Sequence, residues 1–169
     1  MENASKALII AGAILISILL IAIGMYIYSG STGAMDSAVS KMSQQEKDIY
    51  NADITPYIGD NIRGSQVRQM IDRIISNNQG NAGQPGKFIS VTVEGTITGY
   101  NNLDDLNSAC LKCDYYSDGG TGDNSEANVA AATSQMNTLK SKINTSKGYT
   151  VSSDQAEGAI YKITIKPNS

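Results

Sequence analysis

Cys110 and Cys113 stand three apart in the segment CLKC, a spacing at which two thiols can act as a redox couple or as half of a metal site. A thioredoxin-like pair belongs where a strand runs into a helix of a βαβ unit, and zinc would need two further Cys or His ligands. The chain has no His and no third Cys. The first reading is therefore a structural disulfide in an oxidising compartment, closing a very short loop; redox activity is the alternative.

A second group of candidates follows at once. The segment DYYSDGGTGDNSE gathers Asp114, Asp118, Asp123, Asn124 and Glu126 among glycines that permit tight turns, an oxygen-rich setting of the kind calcium prefers. The spacing is not that of an EF-hand. The alternative is a solvated acidic loop leading into a helix, whose N-terminal dipole would favour Asp123 and Glu126 without any metal. Beyond calcium no cofactor is expected.

The absence of His removes the commonest general base, and neither a nucleophile elbow nor a phosphate loop occurs. An enzyme is not expected. The formal net charge of −3 and the lack of a basic stripe argue against a nucleic-acid partner. Acidic residues crowd positions 104–126, whereas Lys140, Lys142, Lys147, Lys162 and Lys166 crowd the C-terminal third. Complementary patches of this kind could guide contacts between subunits, and a solvated surface is the plainer account.

What must position these residues begins at the other end of the chain. Ala7–Tyr28 is an uncharged apolar run of membrane length, reaching about 33 Å as a helix against a hydrocarbon core of roughly 30 Å. It is too long for the apolar region of a signal peptide, and MENASK lacks that signal's basic start. A retained single-pass helix is expected, with a cytoplasmic N-terminus, Tyr26 and Tyr28 at the outer interface, and an extracytoplasmic C-terminal domain. Small residues at Ala7, Ala11, Ala13, Ser17 and Gly24 would let neighbouring helices approach closely, so self-association through this helix is expected.

The domain boundary is set at 33/34: an N-terminal helix and hinge over 1–33, and a head over 34–169. Met35, Met42 and Ile49 carry the apolar phase beyond Gly30 and Gly33, which predicts one long helix, hinged there, whose second half offers a stripe to the head and stops near Pro56. A second helix is expected from Ser65, as N-cap, to about Ser76, with Val67, Met70, Ile71, Ile74 and Ile75 on its buried face. A loop over Asn77–Gly86 and a strand through Ile89, Val91 and Val93 follow, with Gly95 as a turn or bulge. Asn101–Asn124 is expected as an exposed excursion with one short helical turn around Leu103–Cys110. A third helix, Ser125–Ile143, buries Val129, Ala132, Met136, Leu139 and Ile143, and Lys140 and Lys142 suit its C-terminal dipole. Strands at Tyr149–Ser152 and Ala159–Lys166 close the chain, the latter with Tyr161, Ile163 and Ile165 on one face.

The sum is an α+β protein: a long N-terminal helix, half transmembrane and half amphipathic, and a small head of two further helices and a mainly antiparallel sheet. This plan resembles type IV pilins and pseudopilins, whose apolar helices leave the membrane and pack at the centre of a filament while the heads cover its outside. The resemblance rests on about the first 50 residues and the general plan of the head. The family's basic leader ending in Gly and its Glu at the fifth mature position have no counterpart, so leader processing is not expected. The opening ENASKALIIAGAILISILLIAI is also similar to small single-pass proteins of Gram-positive bacteria. The resemblance implies a structural subunit of a cell-surface filament or envelope assembly. The alternative is a monomeric, membrane-anchored binding module, an adhesin or accessory protein, with Asn101–Asn124 as its contact site.

Overall fold

A computed structural model describes residues 2–168; inside the first helix, the side chains of 2–4, 24 and 26–43 lie outside the description. The chain divides into two units, 1–46 and 47–169. Helix α1 is Glu2–Ile54. It ends just ahead of Pro56, as expected from the bias of a pre-proline residue away from helix, and Thr55–Tyr57 follows as a short 3-10 turn. The proposed hinge at Gly30 and Gly33, the anchors Tyr26 and Tyr28, and the stripe residues Met35 and Met42 fall among the side chains outside the description.

In the first unit the span Ser5–Ile23 is long and apolar enough to cross a membrane, and none of it is buried. The Ser17 hydroxyl donates to the Ala13 carbonyl at 2.9 Å and is thus satisfied within the helix itself.

The second unit holds the α+β head. Its elements are β1 (Gly59–Arg63), α2 (Gly64–Gly80), β2 (Ser90–Val93), α3 (Leu103–Cys113), α4 (Glu126–Lys142), β3 (Gly148–Ala156) and β4 (Ala159–Pro167). The sheet order is β1-β3-β4-β2; β1 and β4 both pair antiparallel with β3, and β2 runs parallel to β4. The mainly antiparallel sheet is therefore as expected, with one parallel edge. Glu157 and Gly158, both at positive φ, turn β3 into β4 as a two-residue hairpin, a conformation whose twist matches that of the strands.

The expected apolar faces of α2 and α4 form the core. Val67, Met70, Ile71 and Ile74 of α2 and Ala132, Met136 and Leu139 of α4 are fully buried, against Val91 of β2 and Ile163 and Ile165 of β4. At about 25 cal/mol per Å² of apolar surface this cluster is the main favourable term in folding the head.

Several expectations are corrected. Ile49 is 71% exposed, so the head-facing side of α1 runs through Tyr50 and Ile54 instead. The N-cap of α2 is Arg63, because the Gly64 N–H is drawn onto the Lys147 carbonyl at 2.9 Å and the helix starts one residue before Ser65. That helix also continues through Asn77–Gly80, which had been assigned to a loop. In β4 the pairing steps from Lys162 to Ile160 while β3 advances by one residue, so Tyr161 is the extra residue of a bulge and Ile160 takes the buried place. The head has three α-helices beyond α1 rather than two. The single turn expected around Leu103–Cys110 in an exposed excursion is the longer helix α3, Leu103–Cys113, whose Leu106, Cys110 and Cys113 are buried.

Candidate functional site

Leu106, Cys110 and Cys113 are three and four apart, one face of a helix, and that face turns both thiols into the core. In place of the expected disulfide, the structure holds Cys110 and Cys113 as free, buried thiols. Burial pushes Cys110 up to about 12 and Cys113 up to about 11, the carboxylates Asp123 and Asp114 adding to the second. Both are protonated near neutral pH, the reverse of what a reactive thiol requires.

The three calcium candidates are spent separately. Asp114, only 2% exposed, accepts from the Ser90 hydroxyl at 2.8 Å through Oδ2 and from the backbone N–H groups of Tyr116 and Ser117 at 3.1 and 2.9 Å through Oδ1. Asp118 accepts from the Thr121 hydroxyl. Asp123 accepts from the Ser125 N–H at 3.0 Å, at the entry to α4. Among the described residues no group of three or more His, Cys, Asp or Glu side chains is placed to hold a metal ion. The acidic loop owes its composition to turn-making: short carboxylates satisfy backbone donors that would otherwise be orphaned. Nor is it an exposed excursion. Asn124 is buried, its amide donating to the carbonyls of Asn81 and Gln84 at 3.1 and 2.9 Å.

The lysines read as a basic patch are largely paired within the head: Lys140 with Asp72, Lys162 with Asp154 at 3.7 Å and Lys166 with Glu94 at 3.0 Å. Exposed pairs of this kind contribute about 0–1 kcal/mol each.

In the helical span Ala7, Ala11, Ala13 and Ser17 are all exposed, and a Cβ at Gly12 would meet nothing within 4 Å. The surroundings of Gly24 lie outside the description.

One concavity of the head is a feature that sequence reasoning missed. A cleft of about 760 Å³ opens between the end of α1 and the outer face of α2. One wall carries Tyr50, Asp53 and Tyr57, three and four residues apart; the other carries Gln69, Asp72, Arg73, Ser76 and Asn77, also at helical spacing. The walls are tied together. Arg73 donates from Nε to the Tyr57 hydroxyl and from Nη1 to Asp53 Oδ1, each at 3.1 Å, and its guanidinium lies 5.8 Å from the centre of the Tyr57 ring. Asn77 donates to the Tyr50 hydroxyl at 3.2 Å. Burial raises Tyr50 above the ordinary phenol range, so it stays a neutral hydroxyl. The signal available in the sequence was the polar-aromatic spacing of 50, 53 and 57, but its partner stripe on α2 is adjacent only in three dimensions.

Fold and site together define the class: an α+β head in a chain whose N-terminal helix is long and apolar enough to span a membrane. No family model, curated protein or solved structure matches the chain.

Proposed function

We propose that this protein is a pilin-like structural subunit of a cell-surface filament or envelope assembly, inserted in the membrane through α1 and polymerising by packing that helix against its copies. One observation carries the reading: Ser5–Ile23 is uncovered along its whole length, with Leu8, Leu15 and Ile21 at 75%, 69% and 64% exposure. Apolar surface on that scale cannot face water, since each Å² costs about 25 cal/mol. Lipid and like helices are its two possible surroundings, and the small residues at Ala7, Ala11 and Ala13 suit close helix approach. The head sits outside the membrane in this reading.

The test is electron microscopy of sheared cell-surface material with a tagged head, joined to cysteine crosslinking at Ala11→Cys. Filaments bearing the tag and crosslinked ladders are expected. Tagged protein confined to dispersed membrane, without ladders, overturns the filament and leaves a single-pass anchor. The cleft beside Arg73 favours one second reading, a monomeric anchored binding module, for which that dispersed result is the expected one.

A further inference from the structure

The cleft between α1 and α2 has the wrong character for a buried seam. Two helices that meet for stability alone offer each other apolar stripes, yet here only Ile54 at the floor is a buried apolar side chain, 2% exposed. The polar groups on the walls remain within reach of solvent: the Asp53, Asp72 and Arg73 side chains are 66%, 58% and 50% exposed. The volume falls in the range of about 300–1,000 Å³ typical of small-molecule sites.

The charge pattern narrows the ligand. Asp53 is opposed by Arg73 and Asp72 by Lys140, so the formal charges cancel in pairs and neither a phosphate nor an organic cation finds an excess of the opposite sign. A hydrophobic peptide anchor finds only the Ile54 floor. What the walls do offer is planar, two-pronged polar groups at Asp53 and Arg73 beside the rings of Tyr50 and Tyr57. Adjacent hydroxyls on a sugar ring match a carboxylate or guanidinium fork, and the C–H face of the ring packs on an aromatic side chain.

We infer that this cleft is a binding site for a neutral saccharide, held by Asp53 and Arg73 against Tyr57. The inference stands whether α1 lies in lipid or in a filament. The test uses the full chain in lipid nanodiscs, free of sugar detergents, with cellotetraose, maltotetraose, mannotetraose and chitotetraose as probes in saturation-transfer NMR and calorimetry. At least one is expected to bind saturably, and Asp53→Asn and Arg73→Gln are each expected to weaken it at least tenfold while Asp104→Asn, outside the cleft, leaves it unchanged. No saturation transfer from any of the four to the wild type overturns the site. So does binding that survives both substitutions. A loss of binding confined to Asp104→Asn would place the site elsewhere and overturn it equally.

Discussion

The carboxamide of Asn78 pairs with both backbone groups of Ile89: its Nδ2 donates to the Ile89 carbonyl at 2.9 Å and its Oδ1 accepts the Ile89 N–H at 2.8 Å. Asn78 is 2% exposed, and Ile89 immediately precedes the edge strand β2. The side chain therefore does for one residue what a neighbouring strand would have done. Asn78→Leu leaves a donor and an acceptor buried without partners, at about 1–3 kcal/mol each. Denaturant melts of the full chain in detergent micelles should show a loss of about 2–6 kcal/mol, and an unchanged midpoint would refute the role.

Asp114 is the counterpart one residue further along, at the same end of the strand, bonded to Ser90 and to two backbone donors in the turn after α3. Asp114→Ala strips all three and should cost about 2–4 kcal/mol, whereas Ser90→Ala removes one hydroxyl and should cost about 1 kcal/mol. Because the two touch, the double variant should lose less than the sum. Calcium addition should leave the melting curve where it was; a calcium-dependent rise would restore the metal reading of the loop.

The pH dependence follows from the buried thiols. An unfolded thiol ionises near about 8.5, while in the folded head Cys110 holds its proton to about 12 and Cys113 to about 11. Their contribution is thus complete below the unfolded value and is lost as pH rises toward the folded ones, since the unfolded chain binds fewer protons over that window. Stability should fall progressively above about pH 8.5, and the Cys110→Ala, Cys113→Ala double variant should fall less steeply. In the native protein neither thiol should react with iodoacetamide at neutral pH, and rapid labelling would contradict their burial.

Lys140 and Lys142 lie in the last turn of α4, as expected. Arg68 of α2 joins them at that helix end. Its Nε and Nη2 reach the Ile143 carbonyl at 3.0 and 2.6 Å, and Nη2 reaches the Ser141 carbonyl at 3.2 Å, placing a fixed positive charge on the orphan carbonyls of the helix end. Arg68→Met should cost about 1–3 kcal/mol. Lysine should recover only part of it, because one ammonium cannot fork between two carbonyls.

Arg68 also marks where sequence reading stops. The faces of α2 and α4 were legible because residues three and four apart must lie together on a helix, whatever surrounds it. The strand β1 was not, since Gly59–Arg63 alternates nothing apolar and owes its place to pairing with β3. For α3 the apolar signal was three residues, Leu106, Cys110 and Cys113, in a context so rich in Asp and Asn that composition outweighed period. The calcium candidates failed for a related reason: the composition of the loop was read correctly, but each carboxylate is consumed by a neighbour within four residues or by Ser90. The cleft depended on two helices meeting, and no local pattern encodes which polar stripes will face each other.

Gly64 and Gly80 stand at the two ends of α2 and should respond to alanine with opposite signs. At Gly80 a Cβ would meet nothing within 4 Å. Alanine there only restricts the unfolded chain, and should stabilise by about 0.4–1 kcal/mol. At Gly64 the same Cβ would fall onto the Asn144 carbonyl, 2.7 Å from its carbon and 3.0 Å from the Tyr149 ring. Neither obstacle can swing aside: the Asn144 N–H donates to the Tyr149 hydroxyl at 2.9 Å, and the neighbouring Ile143 carbonyl is the one Arg68 holds. Alanine's advantage in helix propensity, about 1 kcal/mol, is set against overpacking of about 1–3 kcal/mol or more, with backbone in the way and the upper end applicable. Gly64→Ala should therefore lower stability by about 2 kcal/mol and weaken the protection of the Arg68 side to hydrogen exchange. A Gly64→Ala protein as stable as the Gly80→Ala one would mean that the 143–147 connection does not cross the start of α2 as the structure has it.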